Sequence, residues 1–256
     1  MSEIFVVGIG PGDRIYRTVQ AEQALEKSSV LVGYGPYLEL LRADFPEKEY
    51  FASGMRQEKE RCKKCIDFAA EGKTVALVCS GDAGVYGMAS LLLETAGELL
   101  PEGDCADIHR PEITVIPGVT AALSGAAVLG APLGHDFCVI SLSDLLTPWD
   151  VIEKRLRCAV EGDFCIALYN TGSHHRKEHL KRACAILSES LPQDRLCGVV
   201  RKIGREGTEE TLCTLQELSV FPVDMLATVF IGNSMTREIH GRMVTPRGYD
   251  AGIESA

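Results

Sequence analysis

The stretch Cys79-Ser80-Gly81-Asp82-Ala83-Gly84-Val85-Tyr86-Gly87 decides the fold of this chain. An apolar run over residues 74–78 precedes it and another over 88–93 follows it, which predicts a strand, a turn and a helix. Ligands of α/β proteins bind at such carboxyl ends of strands. Gly81 and Gly84 would leave no side chain between backbone and ligand, while Asp82 is predicted to cap the helix and Tyr86 to project from its first turn. An ordinary capped turn has the same residues, so this stretch alone leaves ligand binding open.

The composition limits the partners of the protein. Its 256 residues are 46% hydrophobic, and the apolar runs are too short to cross a bilayer. A formal net charge of −10, with no run of Lys and Arg, argues against a nucleic-acid partner. The chain passes from Met1-Ser2-Glu3 into a strand with no signal-peptide pattern. We therefore expect a cytoplasmic location.

The ten cysteines are expected to be free thiols, because most lie in apolar segments typical of buried cysteines in a reducing compartment. Cys62 and Cys65 form the only C-x-x-C pattern. It lies within a helical pattern over residues 58–70, with no second Cys/His pair at ligand spacing. We expect no metal site.

A first glycine-rich turn, Gly8-Ile9-Gly10-Pro11-Gly12-Asp13, follows a strand predicted over residues 3–9 and precedes a helix over 17–27. Its glycine spacing is not that of a dinucleotide-binding turn. The next strand, residues 29–32, ends in Gly33-Tyr34-Gly35 with no acid to bind a ribose, which counts against nicotinamide cofactors and the common Rossmann-like methyltransferases. Asp13 faces a second ligand or caps a helix, and the sequence leaves both open.

A third turn, Pro117-Gly118-Val119-Thr120, lies between a strand over residues 113–116 and a helix of small residues over 121–129. Gly118 is predicted to allow close backbone approach to a ligand. The domain boundary is placed near this turn, giving an N-terminal α/β domain over 1–115, a C-terminal α/β domain with a mixed sheet over 116–246 and a tail over 247–256. The cofactor cleft is expected between the domains. The second domain is predicted from helices over 150–160 and 174–190 and strands over 137–142, 163–169, 196–201, 209–214 and 225–231.

Together, the three turns resemble the tetrapyrrole methyltransferase superfamily in order and spacing. The run from Pro117 through His135-Asp136-Phe137 to Trp149 is similar to one branch, the precorrin-3B C17-methyltransferases of cobalamin biosynthesis. The resemblance implies an α/β homodimer that uses S-adenosylmethionine to methylate a corrin precursor, with contraction of its ring. Other possibilities are methylation at a different ring carbon, modification of protein or RNA, and a non-catalytic protein that binds S-adenosylmethionine.

The resemblance also implies which positions touch the cofactor, and it assigns the first turn mainly to the tetrapyrrole trough. The implied cofactor positions are Pro11, Ser80, Gly81, Asp82, Val85, Tyr86, Thr120, Ala121, Tyr169, Asn170, Ile203 and Ala227.

Ring methylation and contraction require proton transfers, so acids and bases are expected to line the trough. The catalytic candidates, all expected at strand ends facing one cleft, are Asp13, His135, Asp136, Ser143 and Asp144. The substrate that the resemblance implies carries many carboxylates, which an acidic protein binds only through local basic residues. The substrate-binding candidates are Arg14, Tyr34, Arg56, Arg176 and Arg201. For each of these residues, the sequence is also compatible with a purely structural role.

Overall fold

The computed structural model describes residues 2–100, 110–172 and 178–249. The chain divides after Thr120 into two compact units. Each unit is built on its own five-stranded sheet, as counted over the described residues. The α/β fold class is confirmed, because helices alternate with strands through both units.

The first unit contains a parallel sheet with the order β3-β2-β4-β1-β5. Its strands are β1 (Glu3–Gly8), β2 (Val30–Tyr34), β3 (Glu49–Ser53), β4 (Val75–Cys79) and β5 (Glu112–Ile116). Its helices are α1 (Val19–Lys27), α2 (Gly35–Leu38), α3 (Glu58–Ala70) and α4 (Ala89–Leu99), with a 3-10 helix at Arg14–Tyr16.

Both faces of this sheet are covered, which explains its continuous apolar strands. Alternate residues of a strand point to opposite faces. Ile4 and Val6 accordingly pack in one core cluster, with residues of α3 and α4, while Phe5 and Val7 pack in another, with residues of α1. The polar loops lie at the two ends of the strands.

Two features of the first unit were not predicted. Strand β3 is a partly exposed edge strand, and its apolar run, Tyr50-Phe51-Ala52, is too short to reveal it. The helix predicted over residues 17–27 starts later, at Val19, because the Thr18 hydroxyl caps it by accepting a hydrogen bond from the backbone N–H of Ala21 at 3.0 Å.

The second unit contains a mixed sheet with the order β10-β9-β11-β8-β7. A smaller sheet, β12-β13-β6, was not predicted, because its strands have only two or three residues. The strands are β6 (Gly130–Ala131), β7 (Phe137–Ser141), β8 (Cys165–Tyr169), β9 (Leu196–Arg201), β10 (Glu209–Thr214), β11 (Ala227–Ile231), β12 (Arg237–Ile239) and β13 (Arg242–Val244). The helices are α5 (Ala121–Leu129), α6 (Trp149–Glu161), α7 (His179–Leu187) and α8 (Leu215–Leu218).

The observed division falls a few residues after the predicted one because residues 117 and 118 contact the first unit. The carbonyl oxygen of Pro117 accepts a hydrogen bond from the Thr18 hydroxyl, and the N–H of Gly118 donates to Asp82. The roles assigned to the two domains, and the position of the cofactor cleft, stay predictions. Across the described residues, no helix has both the length and the apolar character needed to cross a membrane.

Candidate functional site

The three glycine-rich turns meet at one edge of the first sheet. Strand β1 lies between β4 and β5, and all three are parallel, so their carboxyl ends lie side by side. The turns follow these strands directly, over residues 9–13, 80–88 and 117–120. This is the edge at which open α/β sheets bind ligands.

Backbone hydrogen bonds join the first turn to the second. The N–H of Gly10 donates to the carbonyl of Gly81 at 3.0 Å, and the N–H of Gly81 donates back to the carbonyl of Gly10 at 2.7 Å. Both residues have left-handed φ angles, 76° and 71°, which glycine adopts without strain. The two glycines are thus required by the pairing of the turns.

The third turn packs against the other two through Gly118. A Cβ atom on Gly118 would overlap the carbonyl oxygen of Gly81 and would lie 2.6 Å from the carbonyl carbon of Gly8. A Cβ atom on Gly8 would lie 2.7 Å from the nitrogen of Gly118. The sequence pattern predicts that Gly118 allows close approach of a ligand, but contact with the protein backbone already requires glycine there.

Asp82 holds the second and third turns together. Its Oδ1 accepts hydrogen bonds from the N–H groups of Gly84 and Val85 at 2.7 and 3.0 Å, and its Oδ2 accepts one from Gly118 at 2.8 Å. The prediction that Asp82 caps α4 is wrong, because that helix starts at Ala89, one residue after an N-cap at Met88 that makes no side-chain cap bond.

Tyr86 also differs from its predicted position. It precedes α4 instead of projecting from the first turn of that helix, and it has a left-handed φ of 53°. Tyr86 is 57% exposed and its neighbour Val85 is 38% exposed. The second turn therefore presents an aromatic and an aliphatic side chain at the carboxyl end of the first sheet. Ser80 is half-buried beside them, and Pro11 of the first turn is buried.

Asp13 and Arg14 take part in local contacts after the first turn. The Asp13 side chain caps the 3-10 helix by accepting a hydrogen bond from Ile15 N–H at 3.0 Å. Arg14 is exposed and pairs with Glu22 at 3.2 Å. Sequence reasoning missed the neighbouring Arg17, whose buried guanidinium also pairs with Glu22, at 3.1 Å. Both arginines reach Asp44 as well, at 3.8 Å and 2.7 Å respectively.

The loops after β2 and β3 contain the other substrate candidates of the first unit. Tyr34 is the N-cap of α2, and its ring meets that of Tyr37 edge-on at 5.2 Å. Arg56 is exposed, with a left-handed φ of 67°, and its N–H donates to Glu58 at 3.1 Å. The buried Arg61, which sequence reasoning missed, lies behind this loop.

In the second unit, several predicted residues share one edge of the mixed sheet. Strands β7, β8 and β9 run in the same direction and β11 runs against them, so three carboxyl ends and the amino end of β11 lie together. The Asn170 amide donates to the Ser141 hydroxyl at 2.9 Å, and the Thr171 hydroxyl donates to the Ala227 carbonyl at 3.4 Å. Ile203 is buried in the core cluster behind this edge.

Tyr169 connects this edge to the start of α5. Its hydroxyl accepts a hydrogen bond from the N–H of Ala122 at 2.6 Å. Ala121 is the first residue of that helix, and both Ala121 and the preceding Thr120 are half-buried. The side chain of Tyr169 thus satisfies one of the free N–H groups at the start of the helix.

The structure separates the catalytic candidates of the second unit. Asp136 lies just before the start of β7, and Ser143 lies just after its end. At about 3.3 Å per residue, these positions are roughly 23 Å apart along an extended chain. The prediction that His135, Asp136, Ser143 and Asp144 face one cleft is therefore wrong. Only Ser143 and Asp144 lie at the same edge as Tyr169 and Asn170.

Asp144 has a buried partner that sequence reasoning missed. Its Oδ2 lies 3.0 Å from Nε2 of His179, which is 8% exposed and meets the ring of Trp149 edge-on at 5.2 Å. His179 and Arg61 each lie in the buried stripe of an amphipathic helix, His179 on α7 and Arg61 on α3. A polar residue in an apolar stripe was the available signal for both.

At the other end of β7, His135 and Asp136 line a shallow depression of about 350 Å³ with Leu133, Gly134 and Arg247. Nδ1 of His135 lies 3.6 Å from the Asp136 carboxylate. Their predicted catalytic role stays untested, but the structure places them away from the other candidates of this unit.

Arg201, a predicted substrate residue, pairs with Asp224 at 2.5 Å and with Glu209 at 3.7 Å. Burial on its own raises the pKa of Asp224, but the hydrogen bonds from Arg201 and from the Leu226 N–H, together with the positive charges of Arg201 and Lys202, outweigh it, so that the pKa of Asp224 is lowered. Both side chains are thus paired with each other within the unit. Arg176 lies outside the described residues.

The cysteines of the C-x-x-C pattern are buried in α3. Burial raises the pKa of the Cys62 thiol to about 11 and that of the nearby Cys79 thiol to about 12. These thiols stay protonated at neutral pH, whereas metals and disulfide exchange require thiolates. Over the parts of the chain that the structure describes, no group of three or more His, Cys, Asp or Glu side chains is arranged to hold a metal ion.

Comparison with known proteins identifies the family. Residues 3–219 match the family model of the tetrapyrrole (corrin/porphyrin) methylases, which is most of the chain. The chain belongs to the tetrapyrrole methylases. The family predicted from the three glycine turns is therefore confirmed.

Similar proteins align with this tetrapyrrole methylase over nearly its whole length. A probable cobalt-factor III C(17)-methyltransferase of Salmonella typhimurium is 46% identical over 244 residues, covering 95% of this chain and 98% of the relative. A precorrin-3B C(17)-methyltransferase of a Sinorhizobium species is 39% identical over 251 residues, covering 96% of each chain. The crystal structure of the methyltransferase CobJ superposes with a TM-score of 0.86 at 36% identity, covering 96% of this chain and 100% of that one.

Proposed function

We propose that this tetrapyrrole methylase transfers a methyl group from S-adenosylmethionine to C17 of precorrin-3B, or of its cobalt-containing counterpart cobalt-factor III. The ring contracts in the reaction, giving precorrin-4 or cobalt-precorrin-4, in the biosynthesis of cobalamin. The observation that carries the proposal is the 46% identity to a probable cobalt-factor III C(17)-methyltransferase over 98% of that relative. The second relative, named for precorrin-3B, supports the same ring position.

The rate of the methyl transfer depends mainly on how the methyl donor and the ring carbon are positioned. S-adenosylmethionine supplies the methyl group: the bond from carbon to sulfur breaks as a bond to a ring carbon forms, and the electron pair stays on sulfur in S-adenosylhomocysteine. Fixing two reactants in line can supply a large part of the rate of such a step. The three joined turns provide a rigid edge for this purpose.

The residues of the second turn fit an adenosine-containing ligand. Val85 and Tyr86 are exposed there, and they offer aliphatic and aromatic surface to a nucleoside. Asp82 and Gly118 support the turn from within, through hydrogen bonds and close packing. We propose that Val85 and Tyr86 contact the cofactor directly and that Asp82 orders the backbone around them.

For proton transfer in the ring contraction, we propose Ser143 and Asp144 ahead of His135 and Asp136. The first two share a sheet edge with the proposed cofactor residues Tyr169 and Asn170. The Asp144 carboxylate is 39% exposed and has His179 as a partner, so it is both accessible and held in place. We propose that Tyr34 and Arg56 bind the tetrapyrrole from the first unit.

The test is anaerobic incubation of purified protein with S-adenosylmethionine and either cobalt-factor III or metal-free precorrin-3B. We expect stoichiometric formation of S-adenosylhomocysteine and of a corrin product methylated at C17, identified by NMR with a ¹³C-labelled methyl donor. The faster substrate identifies the cobalt-dependent or cobalt-free route. Methylation at another ring carbon would overturn the proposed position, and binding of NADPH without any binding of S-adenosylhomocysteine in calorimetry would overturn the methyltransferase assignment.

Two further expectations accompany this function. We propose that the enzyme works in the cytoplasm, supported by its many free thiols, and that it is a homodimer without a nucleic-acid partner. Sedimentation equilibrium tests the dimer. A monomer at assay concentration would contradict it.

A further inference from the structure

Arg61 is a buried cation in the first unit. It lies near the start of α3 and is 5% exposed. Its Nε donates to the Ser53 hydroxyl at 2.7 Å, its Nη2 donates to the Gly54 carbonyl at 3.0 Å, and its Nη1 lies 3.8 Å from the thioether sulfur of Met88. All three partners are neutral.

A second buried arginine in the same unit provides the contrast. The side chain of Arg17 is 1% exposed, and its guanidinium pairs with the carboxylates of Glu22 and Asp44. Over the described residues, no carboxylate lies within ion-pair distance of Arg61. A buried charge without a counter-ion is costly, and natural proteins rarely keep one without a use.

The guanidinium of Arg61 also has donor capacity beyond these contacts. An arginine has five N–H donors in a planar fork, of which two on adjacent nitrogens can bind one carboxylate. Nη1 contacts only the sulfur of Met88, which is a weak acceptor. A thioether on a flexible, half-buried side chain can rotate away in favour of an anion.

The position of Arg61 relates it to the ligand-binding edge. Ser53 and Gly54 come at the end of β3, and Met88 comes at the end of the second glycine turn, after β4. Strand β2 lies between β3 and β4 in the sheet. Arg61 therefore joins two loops across the carboxyl end of β2, at the edge where the three glycine turns meet.

We propose that Arg61 anchors a ligand carboxylate at this edge of the first sheet. The inference rests on the proposed function, in which both ligands carry carboxylates: S-adenosylmethionine on its amino-acid portion and the corrin precursor on its side chains. The Nη1 and Nη2 groups bind the carboxylate, and the Met88 side chain moves aside. The bonds to Ser53 and Gly54 orient the guanidinium.

The experiment compares Arg61→Met, which keeps the apolar stem without the charge, and Arg61→Lys, which keeps the charge without the fork. Lys73→Met is the control, because Lys73 lies just before β4, at the opposite edge of the sheet. Calorimetry measures binding of S-adenosylhomocysteine and of its methyl ester, in which the carboxylate is blocked. Steady-state kinetics measures KM for the corrin precursor, and thermal unfolding reports the folding of each variant.

Two results support the proposal and identify the source of the carboxylate. If Arg61 binds the cofactor, Arg61→Met weakens S-adenosylhomocysteine binding about 10-fold or more and leaves binding of the ester nearly unchanged. If Arg61 binds the corrin, the variant raises KM by a similar factor and leaves both calorimetric affinities unchanged. Arg61→Lys gives a smaller effect in the same assay, because it cannot bind in bidentate fashion. If Arg61→Met does not fold, the affinities and KM of Arg61→Lys decide between these results.

Equal loss of binding for S-adenosylhomocysteine and its ester, together with a lower melting temperature, would show that Arg61 only ties the loops together, and would overturn the proposal. Wild-type affinities and KM in both variants would overturn it as well. The wild-type protein separates this failure from failure of the proposed function. A wild type that neither binds S-adenosylhomocysteine nor methylates the corrin would overturn both.

Discussion

The backbone N–H of Gly118 donates a hydrogen bond to Oδ2 of Asp82 at 2.8 Å, and this bond connects the turn after β5 with the turn after β4. The other oxygen of the same carboxylate accepts from Gly84 and Val85. One side chain therefore sets both the shape of the second turn and its distance from the third. Asp82 and Gly118 are therefore structural residues of the candidate site, whereas Val85 and Tyr86 are exposed at its surface.

Replacing Asp82 with alanine should lower the free energy of unfolding by about 2 kcal/mol, because backbone N–H groups lose a charged acceptor. Asp82→Asn should lose less, since it keeps one acceptor oxygen. Urea unfolding measures both. If Asp82→Ala unfolds like the wild type while its affinity for S-adenosylhomocysteine collapses, Asp82 is a ligand contact and not the structural link described above.

Gly118→Ala should destabilise the first unit by about 2 kcal/mol or more, since its Cβ would overlap the carbonyl oxygen of Gly81, a backbone atom with little freedom to move. Gly97→Ala is the matched control. Gly97 lies in α4, and among the described residues nothing comes within 4 Å of an added Cβ. That variant should gain up to about 1 kcal/mol from the better helix propensity of alanine. Equal melting temperatures for the two variants would contradict the packing of the turns.

Arg56→Ala should raise KM for the corrin precursor and leave the affinity for S-adenosylhomocysteine nearly unchanged. Arg56 is exposed just after the carboxyl end of β3, where, in the proposed function, its charge pairs with a substrate carboxylate. Arg14→Ala should have a smaller effect than the sequence alone predicted, because Arg14 already pairs with Glu22.

Lys73→Ala serves as the charge-matched control for Arg56, at the opposite sheet edge. Steady-state kinetics, with the corrin precursor and S-adenosylmethionine varied separately, measures KM for each ligand in both variants. A KM for Arg56→Ala no higher than that of the control would mean that the tetrapyrrole binds elsewhere.

The buried cysteines should react slowly with N-ethylmaleimide in the native protein at pH 8, whereas the exposed Cys158 should react first among the cysteines that the structure describes. Burial raises the pKa of Cys62 from 9.0 to about 11, so little reactive thiolate is present at pH 8.

The raised pKa of Cys62 also makes the free energy of unfolding fall in alkali. Between pH 9 and 11 the unfolded chain releases this proton while the native protein retains it. Mass spectrometry of labelled peptides, and unfolding curves across this pH range, test both statements. Labelling of Cys62 as fast as Cys158 would show that α3 opens readily.

Much of the first unit could be predicted because its strands are continuous apolar runs followed by glycine turns. The pattern placed β1, β4 and β5 and the edge where they end, and it indicated the family from the turns together. It could not reveal that Gly118 is needed against Gly81, because both a ligand and a neighbouring backbone select for the absence of a side chain. Strand β3 was missed because this partly exposed edge strand carries an apolar run of only three residues.

The candidate residues of the second unit show a different limit. His135-Asp136 and Ser143-Asp144 are close in sequence, but an extended strand between them places them at opposite edges of the sheet. The partner of Asp144 was missed since His179 lies beyond another strand and helix, and only the folded chain brings the two together. Local sequence therefore identified residue types and strand ends, but not pairs of side chains from distant segments.

The place of β1 within its sheet governs how the first unit forms during synthesis. Val6 pairs with Leu77 on one side and with Val115 on the other, so β1 is synthesised well before either of its neighbouring strands. A nascent chain that stops before residue 112 leaves one edge of β1 open, and such edges recruit other strands. The pairing of β1 is thus complete only after β5 has been synthesised. Stalled or truncated chains of this enzyme should therefore depend on chaperones to avoid aggregation.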